Sequence, residues 1–140
     1  MKWYGKYVGI PFRTLGRDIR GCDCYGLVRL ALREKYNIEL PELAEYLNAL
    51  DNKEIAIVIE ENTPLLSGDK QNNPEEGLVV VLSSTEGLSS HVGLMVTDKL
   101  MLHTTYKTGA IIEPITSINI KNRIKGYYSV DKSYSTDRPV

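Results

Sequence analysis

The pattern of apolar and polar positions divides the chain into a helical first third and a strand-rich remainder. Residues 1–22 carry Gly5, Gly9, Pro11, Gly16 and Gly21, punctuation too frequent for a long element. From Asp23 the pattern turns helical. Cys24, Leu27, Val28 and Ala31 fall on one face, while Arg29, Arg33 and Lys35 can face water or lay their stems along apolar surface. Asp23 suits the N-cap position and Asn37 the helix end. Residues 40–50, "LPELAEYLNAL", predict a second short helix with Pro41 in its first turn. Residues 51–62 lean towards helix, and residues 63–77 read as a polar, turn-rich loop.

Strand signals then follow in close succession. "LVVVL" at 78–82 suits a buried strand. "HVGLMVT" at 91–97 and "LMLHTTY" at 100–106 flank the dipeptide Asp98-Lys99, which predicts a hairpin with a two-residue turn. Residues 109–115 and 123–130 complete the set. Short connections between successive strands favour an antiparallel sheet. Helices first and strands later predict an α+β architecture in one domain over residues 1–130, with a flexible tail at 131–140.

Composition narrows the function classes. At 140 residues the chain fits one domain, and 42% hydrophobic residues can bury a core. The formal charge of -1, from 17 basic and 18 acidic residues, offers no basic excess for nucleic acid. The apolar runs are far shorter than the ~20 residues of a membrane span. The first residues, "MKWYGKYVGIPF", lack an apolar core ending in small residues, so no signal peptide is expected and synthesis in the cytosol is. Two cysteines without a signal do not suggest a disulfide scaffold.

Candidate chemistry gathers on Cys22, Cys24, His91 and His103, all the thiols and imidazoles of the chain. A thiol is a poor nucleophile until ionised, and a helix N-terminus or a protonated histidine lowers its pKa. The free N–H groups of a helix start can also stabilise an oxyanion. Cys24 stands at such a start and Cys22 before it. With Asp98-Lys99 as the turn, Thr97 pairs with Leu100, and residues 91, 93, 95 and 97 share a face with 100, 102, 104 and 106. His103 then falls on the other face, and a one-residue shift reverses this. If both histidines face the Cys24 helix, His91 is a base for the thiol and His103 holds its ring. Plainer readings stand beside this one. A buried cysteine is commonly core, and an isolated histidine commonly structural. Two thiols and two imidazoles can bind zinc, although a one-residue spacing is short for paired cysteine ligands. A Cys22–Cys24 disulfide would close a small, strained loop. Asp23 can be an N-cap, a substrate ligand or both.

These residues carry a family resemblance. "GIPF…GRD…GCDCYGLVRLALREKYNIELP", then "EEGLVVVL", "SHVGLMV", "LMLHTT" and "RIKGYYSV", resemble in order the NlpC/P-60 cell-wall peptidases over roughly residues 3–130. The resemblance implies a papain-like fold, with N-terminal helices packed on a central antiparallel sheet. It implies a thiol peptidase that cleaves peptidoglycan stem peptides, with the γ-D-glutamyl–diamino-acid bond as the candidate, and with no cofactor and no metal. Cys24 matches the nucleophile, His91 the general base and His103 the polar residue that orients it. Asp23 matches an acidic position that meets the substrate amine, with Tyr25 beside it on the substrate side. An aromatic residue after the cysteine, the preceding "GRD" and the segment "IIEPITSINIKNRIKGYY" resemble the phage-tail branch. That branch implies other tail proteins as partners and action at the cell envelope from a virion. Phe12 departs from the family, many of whose members have tyrosine there as an oxyanion donor. The alternative is a tail-assembly component that keeps the fold with weak or no catalysis.

Overall fold

The computed structural model describes residues 2–40, 70–83 and 89–130. Of the helix expected at 40–50 all but Leu40, the helix expected at 51–62, residues 63–69 of the expected loop and the 131–140 tail lie outside the described residues. Trp3–Tyr7 forms a 3-10 helix. A two-rung hairpin of β1 (Arg17–Asp18) and β2 (Gly21–Cys22) leads into α1 (Cys24–Tyr36). Six strands follow: β3 (Lys70–Gln71), β4 (Val79–Ser83), β5 (Ser89–Met95), β6 (Leu100–Thr105), β7 (Gly109–Pro114) and β8 (Ile124–Tyr128). They form one sheet in the order β3-β8-β4-β5-β6-β7, antiparallel at every pairing. The expected α+β arrangement, a helix packed on an antiparallel sheet, is what the chain adopts. The strand β3 falls where a loop was expected, because Lys70 and Gln71 pair with Tyr128 and Tyr127 of the much later β8.

Helix α1 begins and ends for local reasons. Asp23 caps it by accepting the Gly26 N–H at 2.8 Å. Asn37 ends it in the left-handed conformation (φ 56°), its N–H returning to the carbonyls of Leu32 and Arg33. Its buried face, with Leu27, Val28, Ala31 and Leu32, packs on Val79 and Val81 of β4, Val92 and Leu94 of β5 and Leu102 of β6. The alternate positions Val80, Leu82, Met95 and Met101 join Leu78 and Ile120 in a second cluster. Both sheet faces are therefore covered, which explains why β4 reads as an unbroken apolar run rather than an alternating one.

Two glycines bring the hairpin against the start of α1. A Cβ on Gly26 would lie 2.0 Å from the Gly16 carbonyl oxygen, and one on Gly16 would lie 2.2 Å from the Gly21 carbonyl oxygen. Backbone rather than side chain fills these contacts, so neither neighbour can retreat cheaply.

The β5–β6 hairpin corrects the expected register. Leu94 pairs with Leu102 and Met95 with Met101, and the Val96 N–H donates to the Leu100 carbonyl at 2.9 Å. The turn holds Thr97, Asp98 and Lys99 rather than two residues, because the Thr97 hydroxyl accepts the N–H groups of Lys99 and Leu100. This one-residue shift puts His91 and His103 on the same face, the one they share with Leu82, Met95 and Met101 rather than the α1-facing side of Val92, Leu94 and Leu102 that their expected roles called for.

Gly26→Ala is expected to destabilise the fold by about 1–3 kcal/mol or more, through forced overpacking against backbone. Urea unfolding measures this, and an unchanged midpoint would contradict the close approach.

Candidate active site

The site starts from a buried carboxylate. Asp23 is 3% exposed and uses both oxygens within the protein. Oδ1 accepts from the Gly26 N–H and from Arg17 Nη1 at 2.9 Å, and Oδ2 accepts from the Leu15 N–H at 3.0 Å. The cap expected of Asp23 is present, and its oxygens are turned into the hairpin and the helix start. Tyr25 is also buried, 2% exposed within the main core, with the Arg17 guanidinium 5.7 Å from its ring centroid. Both residues back the site from within, whereas the sequence reading set them against substrate.

Cys24, the first residue of α1, projects its sulfur to the sheet, where it meets the backbone N–H groups of Val92 and Tyr25. The Val92 contact follows from strand geometry. Along β5 the N–H of Met95 turns to Leu78 before β4, and that of Val96 turns to β6, so even-numbered N–H groups face β6. The two strands pair at Leu94–Leu102 and Met95–Met101, although both run further. Past that pairing, the Val92 N–H meets the Cys24 sulfur. The thiol thus sits at a seam between two strands.

Desolvation decides the charge of that half-buried thiol. Desolvation, followed by the Asp23 charge, pushes the Cys24 pKa up to about 12, against the smaller help of the two N–H groups and Arg17. The helix start alone was expected to favour a thiolate; the desolvation outweighs it. Cys22 is fully buried, donates its thiol to the Asp18 carbonyl at 3.1 Å, and has its pKa raised to about 11, by burial first. Both cysteines are free thiols. Among the described residues, no group of three or more His, Cys, Asp or Glu is placed to hold a metal ion.

His91, the residue before Val92, opens a chain of hydrogen bonds. Its Nε2 lies 2.9 Å from His103 Nδ1. His103 Nε2 lies 2.8 Å from Glu113 Oε1, and the Ser117 hydroxyl donates to Glu113 Oε2 at 2.7 Å. Burial, then the neighbouring His103 and Arg123 charges, depresses His91 to about 3. Burial also lowers His103, with the Glu113 bond pulling the other way. Burial acts to raise Glu113, but its bonds to Ser117 and His103 bring it below the usual carboxylate range. The imidazoles are neutral and the carboxylate charged near pH 7. The structure therefore joins His91 directly to His103 and ties Cys24 to the residue next to His91. Among the described residues the thiol itself is held by backbone, not by an imidazole nitrogen.

Sequence reasoning missed Glu113 and Ser117. The signal was available: Glu113 is the acidic residue in "GAIIEPI", and in the β6–β7 register Met101 pairs with Glu113 and His103 with Ile111. That parity gives Glu113 and His103 the same face.

A cysteine at a helix start beside a strand that carries a paired histidine can be compared with known proteins. The family profile described as the NlpC/P60 family matches residues 9–132. The chain belongs to the NlpC/P60 family. The murein DD-endopeptidase MepS/murein LD-carboxypeptidase of Escherichia coli K12 is 24% identical over 123 residues, 88% of this chain and 57% of that protein. The chain thus spans little more than half of that curated relative. Two solved NlpC/P60 structures share the fold. A lipoprotein-like member from Staphylococcus aureus aligns with a TM-score of 0.60 at 19% identity, covering 89% of this chain and 38% of that one. A Bacillus cereus member aligns with a TM-score of 0.61 at 18% identity, covering 87% and 36%.

A raised thiol pKa has a measurable consequence in this NlpC/P60 domain. The thiolate fraction grows with pH up to about 12. Alkylation of Cys24 by iodoacetamide, resolved by peptide mass spectrometry, is expected to climb steadily from pH 7 to 10. A rate that plateaus below pH 7 would contradict a neutral resting thiol.

Proposed function

We propose that this domain is a thiol-dependent hydrolase of peptidoglycan stem peptides, with Cys24 as nucleophile, His91 as general base and His103 as the group that holds the His91 ring. The observation that carries the reading is the seam between β5 and β6. The Cys24 sulfur meets the Val92 N–H there, and His91, one residue away in sequence, begins a half-buried chain ending in a carboxylate. Membership of the NlpC/P60 family and the likeness to a murein endopeptidase support the substrate class.

With both groups neutral at rest, attack and proton transfer occur together. As the Cys24 sulfur bonds to the substrate carbonyl carbon, its proton passes to His91. The imidazolium then gives that proton to the departing amine as the C–N bond breaks. Water, deprotonated by the same imidazole, hydrolyses the thioester, releasing the acid and restoring the thiol. The Cys24 N–H at the start of α1 receives the oxyanion, since the Gly26 and Leu27 N–H groups are held by Asp23. Phe12, beside Cys22 in a parallel bridge, supplies no hydroxyl. Tyr7 gives its hydroxyl to Glu34 at 2.6 Å.

Within this reading Asp23 sets the helix start and Arg17, and Tyr25 backs the nucleophile; the substrate contacts expected of both would act through those placements. We further place the protein in a phage tail, acting on the envelope alongside other tail proteins. Tyr25 after the nucleophile, "GRD" at 16–18 and the "IIEPITSINIKNRIKGYY" segment support this.

Cys24→Ala should abolish release of peptide fragments from purified muropeptides, and His91→Ala should lower turnover by ~10²–10⁴-fold, the usual contribution of a positioned base. Chromatography of the digest measures both. Cleavage unchanged in Cys24→Ala would sink the assignment and favour a structural tail component.

A further inference from the structure

We infer that Glu113 is a positioning residue for this reaction: through His103 it selects the tautomer of His91 whose lone pair lies on Nδ1. The inference rests on the proposed role of His91 and deepens it.

The reasoning starts from hydrogen-bond polarity. An ionised carboxylate can only accept. Glu113 Oε1, 2.8 Å from His103 Nε2, therefore requires a hydrogen on that nitrogen. A neutral imidazole carries one N–H, so His103 Nδ1 is left as an acceptor. That nitrogen lies 2.9 Å from His91 Nε2, which must then be the donor. The hydrogen of His91 is thereby fixed on Nε2, and Nδ1 keeps its lone pair. One carboxylate two residues removed thus decides which nitrogen of the base is basic.

Other groups around the chain fit this role. Ser117 donates to the second Glu113 oxygen at 2.7 Å, and the Asn119 side chain adds a further bond to the carboxylate. Both favour the charged, acceptor-only form. Arg123 approaches from the start of β8, with Nε on the Ser83 carbonyl at 2.8 Å and Nη1 on the Asn119 carbonyl at 3.4 Å. Its charge disfavours a proton on either histidine. Glu113 is the negative group that offsets Arg123 when His91 becomes an imidazolium.

Glu113→Gln tests the assignment at nearly constant shape. Its amide can donate to His103 Nε2 and so invert the chain, leaving a hydrogen on His91 Nδ1. The expected result is a fall in kcat of roughly 10²–10³-fold with KM little changed. An Asp→Asn change behind a catalytic histidine acts in the same way and costs about 10⁴-fold in the serine proteases. The readout that a structural role would not move is the His91 tautomer. Long-range ¹H–¹⁵N NMR should show Nε2–H in the parent protein and Nδ1–H in the variant. Ser117→Ala provides the second variant. Losing that donor raises the Glu113 pKa, so the acid limb of the kcat profile should move to higher pH.

Cys24→Ala measured alongside separates two failures. Full cleavage by Cys24→Ala overturns the proposed function, while the tautomer assignment still tests Glu113. An inactive Cys24→Ala beside a Glu113→Gln protein with parental kcat overturns the inference alone. A His91 Nδ1–H tautomer in the parent protein also overturns it, as does an unmoved acid limb in Ser117→Ala.

Discussion

The Asp23 carboxylate is the constraint on which the site depends. It is buried and its oxygens accept from the Gly26 N–H, the Leu15 N–H and Arg17. A buried carboxylate is tolerated only when paired and hydrogen-bonded, so these partners hold one another in place. Together they lock the first turn of α1 to the β1–β2 hairpin, and Gly16 and Gly26 let the two backbones touch. The first residue of that turn is Cys24. The same arrangement has an opposing effect on the thiol, because closing the helix start against the sheet partly desolvates the half-buried Cys24 and sets it beside the Asp23 charge. Desolvation is the largest influence on Cys24 and raises its pKa.

That trade shapes the chemistry. A thiolate–imidazolium pair at rest would need a thiol pKa below that of the imidazole. Here the order is reversed, with Cys24 near 12 and His91 near 3. The resting pair is neutral, so in the proposed mechanism the burden falls on proton transfer during attack, and a defined lone pair on His91 matters there. The bonds from His91 through His103 to Glu113 supply that definition, and they lie on strands rather than loops: β5, β6 and β7 carry the three groups in order across the sheet.

Much of this was legible in the sequence. Asp23 and Asn37 marked the ends of α1, and the apolar runs marked β4 to β8, because local capping and strand chemistry decide those features. Cys24 and His91 stood out by residue type and placement. The register of the β5–β6 hairpin was not legible from Asp98-Lys99, since the Thr97 side chain caps the turn and adds a residue to it. The shared face of the two histidines hung on that detail. Burial was also out of reach. Asp23 and Tyr25 are polar or amphipathic residues beside the proposed nucleophile, which suggested substrate contact, and only tertiary packing turns them inward. Glu113 is separated from His103 by ten residues and a strand turn, so its role appears once the β6–β7 register is known.

The fold is that of the NlpC/P60 family, and the particular character of this member lies in its neutral, carboxylate-anchored site. The most direct test is the protonation state of His91 in the resting protein, followed by ¹⁵N NMR of its ring from pH 4 to 8. A neutral imidazole across the whole range is the predicted result. An imidazolium signal near neutral pH that disappears in Cys24→Ala would show a preformed thiolate–imidazolium pair and contradict this account.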